Sequence, residues 1–214
     1  MLRSKVFEDI TMFTAGDVAG ILGRPNIGKT SIAISEAIYL TRQNSDVKLL
    51  YLTTEVPATM IMKRMLESIV ISFDEDLIYK SFLDSGLNNN ITVDWTNDWR
   101  QYLNDMDTHY DVIIIDGING CLSDYRIYGE LKSLAKEKLT FIGFTQQLSR
   151  MGVVDEKIVE KYSLAHAHID YLAAIIKREP KSVTIDIRSI PDDEHDIIEW
   201  DLDMDTHYIS RPVN

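Results

Sequence analysis

Lys29, Thr30, Glu55, Asp116 and Gln146 are the residues of this chain whose types and positions could act on a phosphoryl group. Two of them close the strongest pattern in the sequence. Gly23, Arg24, Pro25, Asn26, Ile27, Gly28, Lys29 and Thr30, followed by Ser31, satisfy G-x-x-x-x-G-K-[ST] at every required position. The two glycines are expected to take positive φ angles and turn backbone N–H groups inward as an anion nest. Lys29 would reach the β- and γ-phosphates of a nucleotide and the Thr30 hydroxyl would bind Mg²⁺. A helix starting at Thr30 would point its positive dipole end at the same phosphates. The competing reading, a glycine-rich turn, leaves unexplained why a strand-like run precedes the loop and a helical run follows it.

The remaining residues sit at the ends of apolar runs. Asp116 closes DVIIID, where an acid can hold the Mg²⁺ shell beside a phosphate loop. Glu55 follows KLLYLTT, and in open α/β sheets the carboxyl ends of strands face the ligand crevice. A carboxylate placed there can orient or deprotonate the water that attacks a γ-phosphate; the alternative is a charge at the start of the helix near Pro57. Gln146, directly after FIGFT, could hydrogen-bond the γ-phosphate or serve as an ordinary polar loop residue.

These positions require a scaffold that the hydrophobic periodicity supplies. Thr30 to Gln43 reads as a buried helix, Lys48 to Thr53 as a strand buried on both faces, and the residues after Pro57 as a helix with Met60, Ile61, Met65, Leu66 and Ile69 inward. Residues 73–108 are harder to read. Within them Ile91 to Trp95 suggests a strand, Trp99 to Leu103 a short helix, and Asn88 to Asn90 a turn. A strand at Asp111 to Asp116, a helix at Tyr125 to Lys138 and a strand at Thr140 to Thr145 follow. This alternation is that of a doubly wound α/β fold with a mostly parallel sheet. Runs at Tyr171 to Lys177, Val183 to Arg188 and Ile197 to Leu202, separated by Pro180 and Pro191, predict antiparallel C-terminal strands.

The 214 residues suit one domain: a lead-in segment at 1–16, a core at 17–190 and a C-terminal strand extension at 191–214. A formal net charge of −12 argues against a general polyanion binder, although one basic groove on an acidic body remains compatible with it. The lone Cys121 excludes an internal disulfide and suits a reducing, cytoplasmic setting. No run of 18 apolar residues occurs, so no membrane partner is expected. His166 and His168 near Asp170 form a weak metal pattern, for which packing or a nucleic-acid contact is the simpler reading.

Taken in order, GRPNIGKTSIAI, LYLTTEVPATMIMKRML, VIIIDG and FIGFTQQLSR resemble the successive motifs of the ATPase domain of DnaB-type replicative helicases, a branch of the RecA-like ATPases. The resemblance covers about Thr14 to Arg188. It implies a RecA-like fold, ATP and Mg²⁺ as cofactors, a homo-oligomeric ring or filament with ATP between neighbours, and movement on single-stranded DNA. By position, it implies that Lys29 and Thr30 bind phosphate and metal, Glu55 is the catalytic base, Asp116 the metal-side acid and Gln146 the sensor.

The chain also departs from that family. No primase-binding domain or linker helix is expected within it. Arg188 in TIDIRSIP stands where the family places an arginine that reaches a neighbour's ATP, but Asp186 replaces the expected lysine, and Arg178 is a second arginine candidate. Arg188 could equally be a charge on an open strand face. The loops implied to meet nucleic acid offer Arg126 in one, and Arg150, Lys157 and Lys161 against Asp155, Glu156 and Glu160 in the other. Two function classes follow. One is an ATP-driven helicase or recombination-type enzyme on single-stranded DNA. The other is a nucleotide-switched assembly protein that polymerises or recruits replication or recombination proteins without translocating.

Overall fold

The computed structural model of the protein describes residues 2–3, 12–69, 87–118, 126–148, 168–190, 194–202 and 209–210. In chain order the elements are β1 Leu2–Arg3, β2 Met12–Phe13, β3 Val18–Gly23, α1 Lys29–Gln43, β4 Leu49–Thr53, α2 Ala58–Ile69, α3 Leu87–Asn90, β5 Ile91–Trp95, α4 Trp99–Asp105, β6 Val112–Asp116, α5 Arg126–Lys138, β7 Phe141–Gln147, β8 Tyr171–Arg178, β9 Ser182–Ser189, β10 Glu194–Leu202 and β11 Ile209–Ser210.

Among the described residues nine strands form one sheet in the order β11-β10-β9-β8-β3-β7-β6-β4-β5. From β8 to β5 every neighbouring pair is parallel. β9, β10 and β11 then add to the β8 edge in antiparallel pairs. The expected α/β class, mostly parallel with antiparallel C-terminal strands, is borne out.

Strands that are apolar at every position are needed because both faces of the parallel part are covered. VIIID of β6 and LLYLT of β4 are buried throughout. On one face Leu49, Tyr51 and Ile114 meet Ile32, Ile38 and Leu40 of α1 and Ile61 and Met65 of α2. On the other, Leu50, Leu52, Ile113 and Ile115 meet Trp99 and Leu103 of α4 and Ile127 and Leu131 of α5. The period-two alternation along each strand therefore decides which layer a side chain belongs to.

Local chemistry starts and stops the helices. Asp98 caps α4, its carboxylate accepting from the Arg100 and Gln101 amides at 3.0 and 3.2 Å. The turn expected at Asn88 to Asn90 is instead α3. The Asn90 side chain donates to the Ser45 carbonyl at 2.7 Å, so a contact with the distant segment before β4 overrides the turn preference. Cys121, Arg150, Lys157, Lys161 and His166 lie outside the described residues.

Candidate functional site

The parallel strands deliver their carboxyl ends to one edge of the sheet, where open α/β sheets hold their ligands. β3 runs into the Gly23–Thr30 loop, and α1 starts at Lys29 with Gly28 as its N-cap at φ 114°. Only Gly28 of the two motif glycines has positive φ. Gly23 ends β3 in extended geometry, and its requirement is space: a Cβ there would lie 2.7 Å from Ile27 Cγ2. The second left-handed residue of the loop is Asn26, at φ 58°. Lys29 Nζ donates to the Arg24 carbonyl at 2.9 Å, so the ammonium folds back across its own loop. Arg24 and Asn26 are exposed, while Pro25, Ile27, Thr30 and Ser31 are partly buried.

Register brings the acids to this loop. Thr53, Asp116 and Thr145 are mutual partners on the adjacent strands β4, β6 and β7, which places all three side by side on the α1 face. Asp116 Oδ1 accepts from Thr30 Oγ1 at 3.2 Å and from Thr145 Oγ1 at 2.6 Å. The Gly117 amide donates in turn to Thr145 Oγ1 at 2.8 Å. Thr53 Oγ1 donates to the Val56 carbonyl at 2.8 Å, tying together the bend that projects Glu55 after β4.

Gly117 is required twice over. Its φ is +95°, and a Cβ there would meet Thr54 Oγ1 at 2.8 Å and Glu55 Cγ at 2.9 Å. The Thr54 hydroxyl donates to the Gly117 carbonyl, and the Thr54 amide donates to the Asp116 carbonyl at 3.0 Å. The segments after β4 and β6 are thereby locked together. Burial lowers the pKa of Lys29, while the Glu55 and Asp116 carboxylates oppose that shift by raising it. Lys29 is thus within electrostatic reach of both carboxylates, at the N-terminus of the helix that also carries Thr30.

Gln146 is placed differently from what the sequence suggests, and Arg188 stands apart from the loop of its own chain. Gln146 lies within β7 rather than after it, is 1% exposed, and accepts at Oε1 from the Tyr128 hydroxyl at 2.6 Å. Its side chain therefore faces the α5 layer, opposite to α1. Arg188 pairs across the sheet with Leu172, which pairs with Gly20, so it is level with the middle of β3 and not with the loop. Its guanidinium is held by Asp186 on the same strand, with Nε 3.3 Å from Oδ1. Arg178 does reach the loop: its Nη1 donates to the Asn26 carbonyl at 2.7 Å.

Thr145, Thr54 and Gly117 are the site residues that motif reading passes over. The signal for Thr145 was a threonine at the end of an apolar strand, which acquires meaning only when β7 is known to lie beside β6. Among the described residues no group of three or more His, Cys, Asp and Glu side chains could hold a metal ion. No helix among them is long and apolar enough to cross a membrane.

No protein-family model matches the sequence, and no curated protein does. Solved structures do resemble it. One is described as an ATPase domain, with 13% sequence identity and a TM-score of 0.73, covering 94% of this chain and 86% of that one. Another is a DnaB-like replicative helicase studied with its interactions with primase, with 12% identity and a TM-score of 0.68; 94% of this chain is covered but only 58% of that one. This chain accordingly spans little more than half the length of that helicase. What the likeness establishes is architecture: the chain has the RecA-like fold of a DnaB-type helicase ATPase domain.

Proposed function

We propose that this protein binds and hydrolyses ATP at the Gly23–Thr30 loop, as a cytoplasmic RecA-like ATPase of DNA replication or recombination that acts on single-stranded DNA as a homo-oligomeric ring or filament. The observation that carries the reading is the convergence of Lys29, Thr30, Glu55 and Asp116 from three separate strand ends on one loop. The donor set fits a Mg²⁺-bound triphosphate. A hydroxyl and a carboxylate already in contact at 3.2 Å offer the hard oxygen ligands and the acid that Mg²⁺ prefers. A positive-φ glycine at the start of α1 opens its backbone N–H groups to an anion.

Mg²⁺ bound there would neutralise developing charge on the phosphates. The chain's own residues account for the rest. Lys29 leaves the Arg24 carbonyl for the β- and γ-phosphates. Thr145 and Thr30 hold Asp116 in orientation. Glu55, on the bend after β4, takes the proton of the attacking water. Gln146 responds to the γ-phosphate through β7, where its neighbour Thr145 holds Asp116. Arg178 steadies the loop from within the same chain, and Arg188 is assigned to a neighbouring subunit's nucleotide.

The second reading, a nucleotide-switched assembly or recruitment protein, is favoured by one observation. Asp186, in place of the lysine expected beside the arginine, grips Arg188 on its own strand. Single-stranded DNA binding at several salt concentrations, with an ATP analogue or with ADP, separates the two. A motor contacting phosphates through Arg150, Lys157 and Lys161 should bind more tightly with the analogue and weaken with salt. Each phosphate contact contributes a log–log slope of about −0.7. Arg150→Ala should flatten that slope. Absence of binding at low salt, in protein shown to be assembled, leaves the assembly reading.

A further inference from the structure

The Tyr51 hydroxyl is, among the described residues, the one buried side-chain polar atom without a well-formed hydrogen bond. Tyr51 is fully buried in β4 on the α1 face, two residues before Thr53. Asp116 is the register partner of Thr53, so Tyr51 and Asp116 are diagonal neighbours on one face of adjacent parallel strands. A phenol is long enough to span such a diagonal. Burial, the Asp116 charge and the approach of the hydroxyl to that carboxylate raise its pKa well above the ordinary range, with the Arg64 guanidinium opposing them. The hydroxyl is thus an O–H donor placed diagonally to Asp116 and without a bond to it in good geometry.

The carboxylate beside it is unevenly satisfied. Thr30 and Thr145 both donate to Oδ1, and no described residue makes a well-formed bond to Oδ2. A buried hydroxyl without a formed bond costs stability, and phenylalanine would fill the same space without that cost. A donor kept idle beside a half-satisfied acid is explained if its bond forms in another state of the site.

We propose that Tyr51 is a positioning residue for Mg²⁺-dependent nucleotide binding, its hydroxyl donating to Asp116 when that carboxylate turns toward the metal side of the site. The proposal rests on the nucleotide-binding reading above. Tyr51 touches neither nucleotide nor metal; it sets the orientation of the acid that does.

The test is Tyr51→Phe in the full chain, read in three ways: thermal unfolding without nucleotide, affinity for a non-hydrolysable ATP analogue in EDTA, and the Mg²⁺ dependence of that affinity. The free variant should unfold at the same temperature as the parent or higher, and bind the analogue equally in EDTA. It should need about tenfold more Mg²⁺ to reach half its gain in affinity, the scale of one hydrogen bond to a charged group. A variant that loses its fold or unfolds earlier means that the hydroxyl is already bonded in the free protein, and overturns the proposal. An unchanged Mg²⁺ midpoint in a variant that binds the analogue overturns it while leaving the nucleotide reading intact. A parent that binds no analogue removes both.

Discussion

Thr145 Oγ1 donates to Asp116 Oδ1 at 2.6 Å, and the same oxygen accepts the Gly117 amide at 2.8 Å. One threonine on β7 thus orients the carboxylate that ends β6 and fixes the turn that follows it. Thr145→Val keeps the shape and removes both bonds. It should destabilise the free protein by about 1–3 kcal/mol, because the Gly117 amide and the carboxylate lose a buried partner. Chemical unfolding of the two proteins checks this, and Thr145→Ser should restore most of the loss. Equal stability of Thr145→Val and parent would mean that Asp116 finds another donor.

Lys29 has its pKa lowered by burial, against the raising effect of Glu55 and Asp116. Phosphate binding needs the ammonium, so affinity is complete below the lowered pKa of the free protein and falls as pH rises through it. The decline should set in below the ordinary lysine value of 10.5. The free protein responds in the opposite sense. Between the lowered pKa and 10.5 the unfolded chain binds more protons than the folded one, so this residue's contribution to stability rises with pH. Analogue affinity and unfolding measured across alkaline pH, with Lys29→Ala as the reference, test both signs; a decline beginning only above 10.5 contradicts the assignment.

Arg188 is level with Gly20 of its own chain and held by Asp186, so it does not complete its own site. Turnover per subunit should therefore rise with protein concentration across the assembly range, by ~10³-fold where an arginine acts in trans. Arg188→Ala should remove that rise and leave the dilute rate alone. A flat dependence in the parent would mean that one chain, with Arg178 on its own loop, suffices.

How much was legible depended on the range of the interaction. The Gly23–Thr30 loop and the strands ending in Thr53 and Asp116 were readable because their signals are local: fixed spacing for the loop, uninterrupted apolar runs for strands covered on both faces. The helix at Thr30 to Gln43 begins within one residue of its place for the same reason. Thr145 and Tyr51 were not readable, since their meaning comes from which strands are neighbours and in what register. FIGFT reads as a complete strand, which would leave Gln146 in a loop; β7 runs on through Gln147, and alternation then turns Gln146 toward Tyr128. Asn88 to Asn90 misled because asparagine favours turns, whereas the Asn90 contact with Ser45 is long-range. The loop pattern suggests positive φ at Gly23, but its place in the loop demands room for Ile27 instead.

The central claim is that Lys29 holds the nucleotide while Glu55 acts on water. Its most direct test is ATP binding and steady-state hydrolysis measured side by side for the parent, Lys29→Ala and Glu55→Gln. Lys29→Ala should lose affinity by roughly 100-fold, since hydrogen bonds to charged groups are worth about 1.5–3 kcal/mol each. Glu55→Gln should bind ATP as the parent does and lose turnover by about 10²- to 10⁴-fold, the range for a general base. Equal loss of affinity in both variants, or turnover in Glu55→Gln at the parent rate, would contradict the account.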